Sequence, residues 1–421
     1  MKETTQLCPS SYSRRRFCYG TGSLLLAYRT RLSAAPKTGT ATRPDVAAVD
    51  HDRIMAAAAL YLNQAPAPIT SFPCSRNPGS IHDYYSEREA YPDDAPVSNP
   101  LFLAHRDAVF KLGLAVPALT SAYLLTRDKK YSDHAAQQIR TWFVSPDTRM
   151  SPSLDYARVL AQSTGSRPPV GHYSGILETL PLIEVAQSIP FLTVSGSLTD
   201  DESSTAKGWF AAYLGWLTQP RDSGPRLAAL ARDHKDHHAT SWLLQASAYA
   251  SLAIPVGDVA RSEDDSLAML RHHYKTVTLR SQLNADGMFK NELQSATPYR
   301  DSLFNLDMLA AVCQLLSTRF ENLWDYQLQD GPGMRSAIAY HFPFIADPGV
   351  WPFRADAEHF NELPSRRPSL LLAARPYQRP EYAALWLKLP TDPPTPDILR
   401  TIPIHQPLLW VTEPHLTSAA S

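Results

Sequence analysis

The sequence predicts an all-α fold in which paired helices form an (α/α) toroid or an incomplete barrel. Apolar residues recur at helical spacing over most of the chain after Ala47, whereas the regular short alternating runs typical of strands are absent from the sequence. The helical stretches are joined by segments rich in proline and glycine, such as 165–171 and 330–333. The 36 prolines must lie mainly in such connections or in first helical turns. Paired helices with long connections are typical of a toroid.

Individual helices are predicted from apolar residues spaced three or four apart, which share one face of a helix. Tyr131, Ala135 and Ile139 form one such stripe. Residues 304–316 are apolar nearly all round, which is typical of a buried inner helix. Further helices are predicted near 107–125, 176–187, 209–216, 242–252, 267–277 and 336–342.

The predicted organisation is a leader, one large domain and a tail. Residues 1–45 form the leader, 46–390 the toroid, and 391–421 a tail that either wraps around the domain or is loose. The stretch 4–44 lacks acidic residues, and 13–17 resembles a twin-arginine export signal followed by an apolar run. A mitochondrial transit peptide and a disordered leader are the alternatives. Secretion or periplasmic export is therefore favoured over a cytoplasmic location.

Composition argues against several classes of function. The formal net charge of the 421 residues is −1, so nothing draws the protein as a whole to nucleic acid. No stretch approaches the roughly 20 apolar residues needed to span a bilayer, so no membrane span is expected. The four cysteines are scattered and form no CxxC pair, which argues against a cysteine zinc site. A disulfide between Cys74 and Cys313 is open, but the sequence alone does not support it.

Two adjacent histidines, His237 and His238, stand shortly before the apolar segment that begins at Trp242. Imidazole is the side chain best suited to taking a proton near neutral pH, so this pair is the first candidate for catalysis. With His234 and Asp236 the pair also offers metal-ligand chemistry, since His234 and His238 are four residues apart. That geometry needs a helix through His234, whereas the polar run there is typical of a loop. No metal is therefore expected.

Several short motifs follow one another along the chain. They are SNP at 98–100 with HR at 105–106, WF at 142–143 with TRMSP at 148–152, GHYSGILET at 171–179 with LIE at 182–184, HHATSW at 237–242, DG at 286–287 with EL at 292–293 and SLFNL at 302–306, and WPF at 351–353. Together they resemble the alginate lyase superfamily of polysaccharide lyases, from about residue 98 to 353. The fold of that superfamily is an (α/α) toroid, in agreement with the helical pattern.

The resemblance implies β-elimination on a polymer of uronic acids. The C5 proton of a uronate is weakly acidic because it lies α to a carboxylate. One group must neutralise that carboxylate, a second must take the proton, and a third must protonate the leaving glycosidic oxygen. In the family an Asn–His pair, an arginine and a tyrosine share these tasks, and some branches of these lyases bind a metal. We expect the reaction of this protein to need no cofactor.

By this resemblance His238 coincides with the family histidine and is the predicted base. His237 stands where the family has asparagine, Ser295 lies near the family arginine, and Asp301 falls at the family tyrosine. Protonated His237 would contact the substrate carboxylate in place of the amide, although the like charge of a neighbouring imidazolium opposes its protonation. Asp301 would repel an anionic uronate.

Tyr299 and Arg300 lie next to Asp301, so a shifted loop there would offer a phenol as catalytic acid and a guanidinium for the carboxylate. The alternative is an ordinary loop in which Asp301 caps a helix that starts at Ser302.

Other residues are candidates for the cleft because aromatic rings stack on sugars and arginine forks match carboxylates. For the tyrosines, the alternative is core packing with a satisfied hydroxyl group. Tyr173 is also a candidate for the catalytic acid. The predicted substrate-binding residues are Arg300, Tyr85, Arg106, His172, Tyr173 and Trp242.

Three functions fit these observations. The leading one is a lyase that acts on an acidic polysaccharide or oligosaccharide. The second is a lyase scaffold that binds a glycan without cleaving it. The third is a scaffold recruited to another elimination or cyclisation on a small molecule. A basic open groove would favour a glycan, and an apolar cleft would favour the small molecule.

Overall fold

The structure, a computed structural model, consists mainly of α-helices. The export motif predicted at 13–17 and the motif residues 98–99 lie outside the described part of the chain. The described residues are 44–89, 100–161, 169–218, 227–253, 265–393 and 395–414.

Helices cover most of these residues. In chain order the α-helices are α1 (Val46–Val49), α2 (His51–Tyr61), α3 (Ala104–Thr126), α4 (Lys129–Ile139), α5 (Leu182–Val194), α6 (Asp200–Thr218), α7 (Leu227–Asp233), α8 (His237–Leu252), α9 (Asp265–His273), α10 (Leu279–Gln282), α11 (Pro298–Leu316), α12 (Met334–Ala346), α13 (Pro368–Ala374), α14 (Pro380–Lys388), α15 (Pro396–Leu399) and α16 (Pro407–Val411). Short 3₁₀ segments lie at Ile69–Ser71, Tyr173–Thr179, Glu292–Gln294, Pro348–Val350 and Phe360–Glu362, and π-turns at Arg140–Val144 and Tyr274–Thr278.

The helices form two rows. Helices α3, α5, α8, α11 and α13 contact one another in succession and make the inner row. Outside them, α2 and α4 pack on α3, α6 on α5 and α8, α9 on α8, α12 on α11, and α14 on α13. The inner helices are buried nearly all round: every residue of α8 from Ala239 to Leu252 is buried. This is the (α/α) toroid predicted from the sequence.

One small sheet accompanies the helices in the described part of the chain. Strands β1 (Tyr85–Arg88) and β2 (Tyr156–Leu160) run parallel, with Tyr85 opposite Tyr156 and Arg88 opposite Leu160. The register is irregular between Tyr85 and Glu87. The sheet lies next to the 3₁₀ segment that leads into α5, so it helps to position that segment.

The chain after residue 390 packs on the toroid. Helix α16 contacts α1, α3 and α5. The carboxylate of Glu184, buried on α5, accepts hydrogen bonds from the backbone N–H groups of His405 at 2.7 Å and Gln406 at 3.0 Å. Trp410 Nε1 donates to the same carboxylate at 3.0 Å. The segment around His405 and Trp410 is therefore held against these helices, and the division of the chain into toroid and tail stays a prediction.

Two further expectations meet the structure here. Cys74 and Cys313 are free thiols, so the disulfide considered above does not form. Two helical segments, Ala104–Thr126 and Tyr173–Val194, have the length and mean hydropathy of a membrane span, contrary to the reading of the sequence. In these windows 72% and 78% of the residues are buried within the fold, as is also found in core helices of proteins without a membrane span. The absence of a membrane span stays a prediction.

Candidate active site

Helix α8 begins at the histidine pair, and Asp236 holds its first turn. Asp236 has an extended backbone and accepts a hydrogen bond from the backbone N–H of His238 at 3.0 Å. This N-cap satisfies an N–H group that has no partner within the helix. The same carboxylate oxygen lies 2.9 Å from His238 Nδ1. Asp236 thus fixes both the backbone and the ring of His238.

The contact with Asp236 also sets the tautomer of His238. With Nδ1–H donating to the carboxylate, the neutral ring keeps its lone pair on Nε2. Burial lowers the pKa of His238 to about 4, and nearby His237 and His234 add to this effect while Asp236 opposes it. His238 is therefore neutral near pH 7, and its Nε2 atom can accept a proton.

His237, unlike His238, is held in its protonated form. Its Nδ1 lies 2.8 Å from Glu292 Oε2, and its backbone N–H donates to Glu292 Oε1 at 2.7 Å. Burial alone would lower the pKa of His237, but the charge of Glu292 and its hydrogen bond raise it to about 9. Asn305 Nδ2 also donates to Glu292 Oε1 at 2.7 Å, which stabilises the carboxylate. His237 is therefore protonated at pH 7, and the like-charge repulsion expected from its neighbour is weak because His238 is neutral there.

The surroundings of His237 are balanced in charge. Ligand atoms of His237, Glu292 and Asp301 all lie within 4.8 Å of one another. Arg300 Nε lies 3.8 Å from Asp301 Oδ1, and Thr297 Oγ1 donates to Asp301 Oδ2 at 3.0 Å. Burial raises the pKa of Glu292, and the charge and hydrogen bond of His237 oppose this rise, so the charge of this carboxylate depends on its pairing with His237. With that pair ionised, two cations face two carboxylates, and Asp301 belongs to this cluster.

Tyr173 brings a phenol ring next to His238. Its ring stacks on His234 with centroids 4.0 Å apart and meets His238 edge-on at 5.1 Å. Tyr173 opens the 3₁₀ segment Tyr173–Thr179, which His172 caps by accepting a hydrogen bond from the N–H of Ser174. The segment lies close against β2: a Cβ atom on Gly175 would come within 2.6 Å of the Ala157 Cβ.

Two cavities meet at His238. One, the histidine cavity, has a volume of about 530 Å³, and its lining includes His234, Asp236, His237, His238, Glu292 and Ser295. The other, the arginine cavity, has a volume of about 290 Å³, and its lining includes Arg106, Arg158, Glu178, His238, Phe304 and Arg400. A base at His238 would thus face a polar space on one side and a cationic space on the other.

Two groups of side chains have atoms close enough to share a metal ion: His234 with Asp236 and His238, and His237 with Glu292 and Asp301. In the first group both histidines hydrogen-bond Asp236. In the second, His237 pairs with Glu292, while Asp301 accepts a hydrogen bond from Thr297. The expectation that the protein needs no metal stays a prediction.

Comparison with known proteins identifies the family. The family model described as "Alginate lyase" matches residues 69–351, which is more than half of the chain. The chain belongs to the alginate lyase family. An alginate lyase structure from Bacteroides ovatus is similar at 21% identity and a TM-score of 0.68, covering 88% of this chain and 94% of that one. Alginate lyase A1-III from Sphingomonas species A1 is similar at 12% identity and a TM-score of 0.46, covering 81% and 88%. A variant of A1-III in complex with a tetrasaccharide gives 13% identity and a TM-score of 0.48, covering 85% and 93%. No curated protein matches this sequence.

Not every residue predicted from the alginate lyase resemblance reaches the cleft. Tyr299 is fully buried: its hydroxyl donates to the carbonyl oxygen of Phe344 at 2.8 Å, and its ring packs on Trp351 and Phe360. The cause is that α11 begins at Pro298, so this stretch is helical and not a shifted loop. The prediction of Tyr299 as an acid is therefore corrected.

Arg300 also lies in the first turn of α11. Its Nη2 donates to Thr297 Oγ1 at 3.0 Å, and its charge belongs to the ion cluster around His237. Asp301 therefore lies between the Arg300 guanidinium and His237 in this cluster. A direct contact between Arg300 and the substrate stays a prediction.

Two other predicted binding residues lie in the core. Tyr85 is buried, and its hydroxyl donates to Glu87 Oε1 at 2.7 Å. Trp242 is buried in α8 and donates from Nε1 to the Leu217 carbonyl at 2.9 Å. These are the packing alternatives considered for aromatic residues, and the binding roles of both are corrected.

Three predicted binding residues lie near His238 or line a cavity next to it. Arg106 lines the arginine cavity, the Tyr173 ring contacts His238, and the His172 ring lies 4.2 Å from the Tyr173 ring. Burial lowers the pKa of His172 to about 4, with Arg88 and Arg158 adding to the effect. Their roles in binding stay predictions.

Sequence reasoning missed three residues of the site. Glu292 was noted only as part of a motif, although it sets the charge of His237. Arg158 and Arg400 carried no sequence signal, since one lies in a short strand and the other in the predicted tail.

Proposed function

We propose that the protein is a polysaccharide lyase that cleaves an acidic, uronic-acid-containing glycan by β-elimination. The observation that carries this proposal is the Asp236–His238 pair beside Tyr173, at the junction of two cavities. Membership of the alginate lyase family supports it.

In the proposed reaction His238 is the base. Its Nε2 lone pair takes the C5 proton, and Asp236 stabilises the imidazolium that forms, since the carboxylate lies 2.9 Å from Nδ1. The electron pair of the C–H bond forms the C4–C5 double bond, and the glycosidic C4–O bond breaks. The neutral resting state of His238 suits this task.

His237 and Tyr173 complete the set. Because Nδ1 of His237 is engaged by Glu292, the Nε2–H of this imidazolium is left to donate to the uronate carboxylate. Tyr173 is the phenol whose ring meets His238, and it would protonate the leaving oxygen. It takes the task that the family assigns to a tyrosine at the position occupied here by Asp301.

The test is a direct assay of the purified full chain. Alginate and glucuronan are incubated with the protein, and the ultraviolet absorbance of the new C4–C5 double bond is followed. The expected result is a signal from at least one uronate polymer that His238→Ala abolishes. A folded protein that gives no signal with any uronate polymer would overturn the proposal, and retained activity of the variant would overturn the assignment of the base.

A further inference from the structure

The arginine cavity carries more positive charge than its surroundings neutralise. Arg106 Nε and Arg400 Nη2 both donate to one oxygen of Asp107, at 3.1 and 2.9 Å. The third guanidinium, on Arg158, lies 3.8 Å from the carboxylate of Glu178. Three cations thus share two carboxylates.

Glu178 is a weak counter-charge. It is buried, and it accepts hydrogen bonds from Tyr84 at 2.9 Å and Ser86 at 2.5 Å. Burial raises its pKa, so its charged form is disfavoured. Among the described residues, the buried Nε of Arg158 has no hydrogen-bond partner. The Arg158 side chain as a whole is 37% exposed and lines the arginine cavity, so a ligand in the cavity can contact it.

The backbone of Arg158 is held in an unusual conformation beside the cavity. Its φ angle is 54°, in the left-handed region that side chains rarely adopt. Such strain costs on the order of 1 kcal/mol and persists only where the surrounding structure imposes it. In β2 its backbone N–H is held by Ser86 Oγ at 2.8 Å, which keeps this conformation beside the cavity.

We propose that Arg106, Arg158 and Arg400 form a second carboxylate-binding subsite beside His238, which holds the uronate next to the one that is cleaved. The proposal rests on the function proposed above and adds a specificity-determining residue to it. Arg400 lies in the segment after residue 390, outside the part of the chain that the family model matches, 69–351. Because the histidine cluster is balanced in charge, these arginines supply the cationic field for an anionic chain.

The cavity suits a single sugar ring. Its volume of about 290 Å³ lies at the lower end of the range for small-ligand pockets. Its lining also offers the apolar side chains of Phe110, Leu177 and Phe304. A ring lying on these faces would direct its carboxylate to the guanidinium groups, which match carboxylates in a bidentate manner.

The test measures binding without cleavage. In a His238→Ala background, calorimetry gives the Kd of a mannuronate trisaccharide and of the same trisaccharide with its carboxyl groups reduced to alcohols. Adding Arg400→Gln should weaken binding of the acidic probe about tenfold, the loss of one charge-assisted hydrogen bond, and leave the reduced probe unchanged. Arg335→Gln is the matched control and should change neither Kd.

Arg335 is a close match because it makes the same kinds of contact elsewhere. It pairs with Asp325 at 2.9 Å and lies 4.3 Å from the Tyr377 ring centroid, whereas Arg400 pairs with Asp107 at 2.9 Å and lies 4.2 Å from that of Phe110. If Arg400→Gln fails to fold, Arg106→Gln replaces it with the same expected loss.

Each outcome has a definite meaning. An unchanged Kd for the acidic probe, an equal loss for the reduced probe, or no binding of the acidic probe by the parent overturns the subsite. If the arginine variant loses affinity while the wild-type protein yields no double bond from any polymer, the subsite stands and the proposed lyase reaction fails. If the wild-type protein cleaves a polymer and Arg400→Gln binds the acidic probe as tightly as its parent, the lyase reaction stands and the subsite fails.

Discussion

Replacing Asp236 by asparagine tests how the site works. Asn is as good an N-cap as Asp, so α8 should keep its start. The negative charge beside His238 is lost, however, just where a positive charge develops as the ring takes a proton. The change therefore separates the catalytic task of Asp236 from its structural one.

The magnitude follows from the geometry. The carboxylate oxygen is 2.9 Å from Nδ1, which puts the two charge centres about 4 Å apart. The side chains of His238 and Asp236 are 12% and 22% exposed, so an effective dielectric constant of about 20 is suitable and gives an interaction of about 4 kcal/mol. That is an upper bound of about 1,000-fold in rate. Because the amide oxygen still accepts from Nδ1–H, we expect kcat to fall by about 100- to 1,000-fold.

The assay is the initial rate of double-bond formation at pH 7, with urea unfolding as the measure of stability. Asp236→Asn should stay within about 0.5 kcal/mol of the wild-type free energy of unfolding, whereas Asp236→Ala should lose about 1 kcal/mol with the cap. Asp128→Asn is the control, because Asp128 caps α4 in the same way, accepting from Lys130 N at 3.1 Å. A folded Asp236→Asn protein with kcat within about threefold of wild type would refute the reasoning.

Three further outcomes are expected. The value of kcat/KM should rise with pH through about 4, as His238 loses its proton, and fall through about 9, as His237 loses its proton. The variant His237→Asn should abolish the fall at alkaline pH. A variant with the same pH profile as wild type would contradict the assignment. Tyr173→Phe should lower kcat by about 100-fold or more. Tyr299→Phe should lower the free energy of unfolding by about 1 kcal/mol and leave kcat unchanged. Steady-state kinetics in which Tyr299→Phe loses kcat and Tyr173→Phe does not would restore Tyr299 as the acid. Burial raises the pKa of Glu184 to about 7, above its unfolded value, so the stability that Glu184 contributes is full below about pH 4.5 and is lost as pH rises to about 7. The free energy of unfolding in urea of wild type minus that of Glu184→Gln should therefore fall over this pH range, and a difference that does not change with pH would contradict the assignment.

The toroid could be predicted because its inner helices are apolar on all faces. Residues 304–316 carry that pattern, and in α11 every residue from Ser302 to Cys313 is buried. No comparable local pattern marks β1 or β2, whose pairing joins residues about 70 positions apart and depends on tertiary context.

The site was less predictable because its charges come from distant parts of the chain. Local chemistry pointed to the pair of His237 and His238, and the family resemblance singled out His238 as the base; its partner Asp236 lies only two residues away. The charge of His237 depends on Glu292, 55 residues later, and Arg106 meets Arg400 through Asp107, 293 residues away from it. The misplacement of Tyr299 was avoidable, since Pro298 favours a first helical turn and therefore an earlier start of α11.

The way in which Glu184 anchors the chain end bears on protein engineering. One carboxylate fastens the backbone at His405 and Gln406, and the loop just before them presents Arg400 to the cavity. The short segment that carries Arg400 can therefore be replaced without changing the sequences of the inner helices. If the proposed subsite holds, libraries confined to the residues around Arg400 should change which sugar is accepted while the sequences of the inner helices stay unchanged.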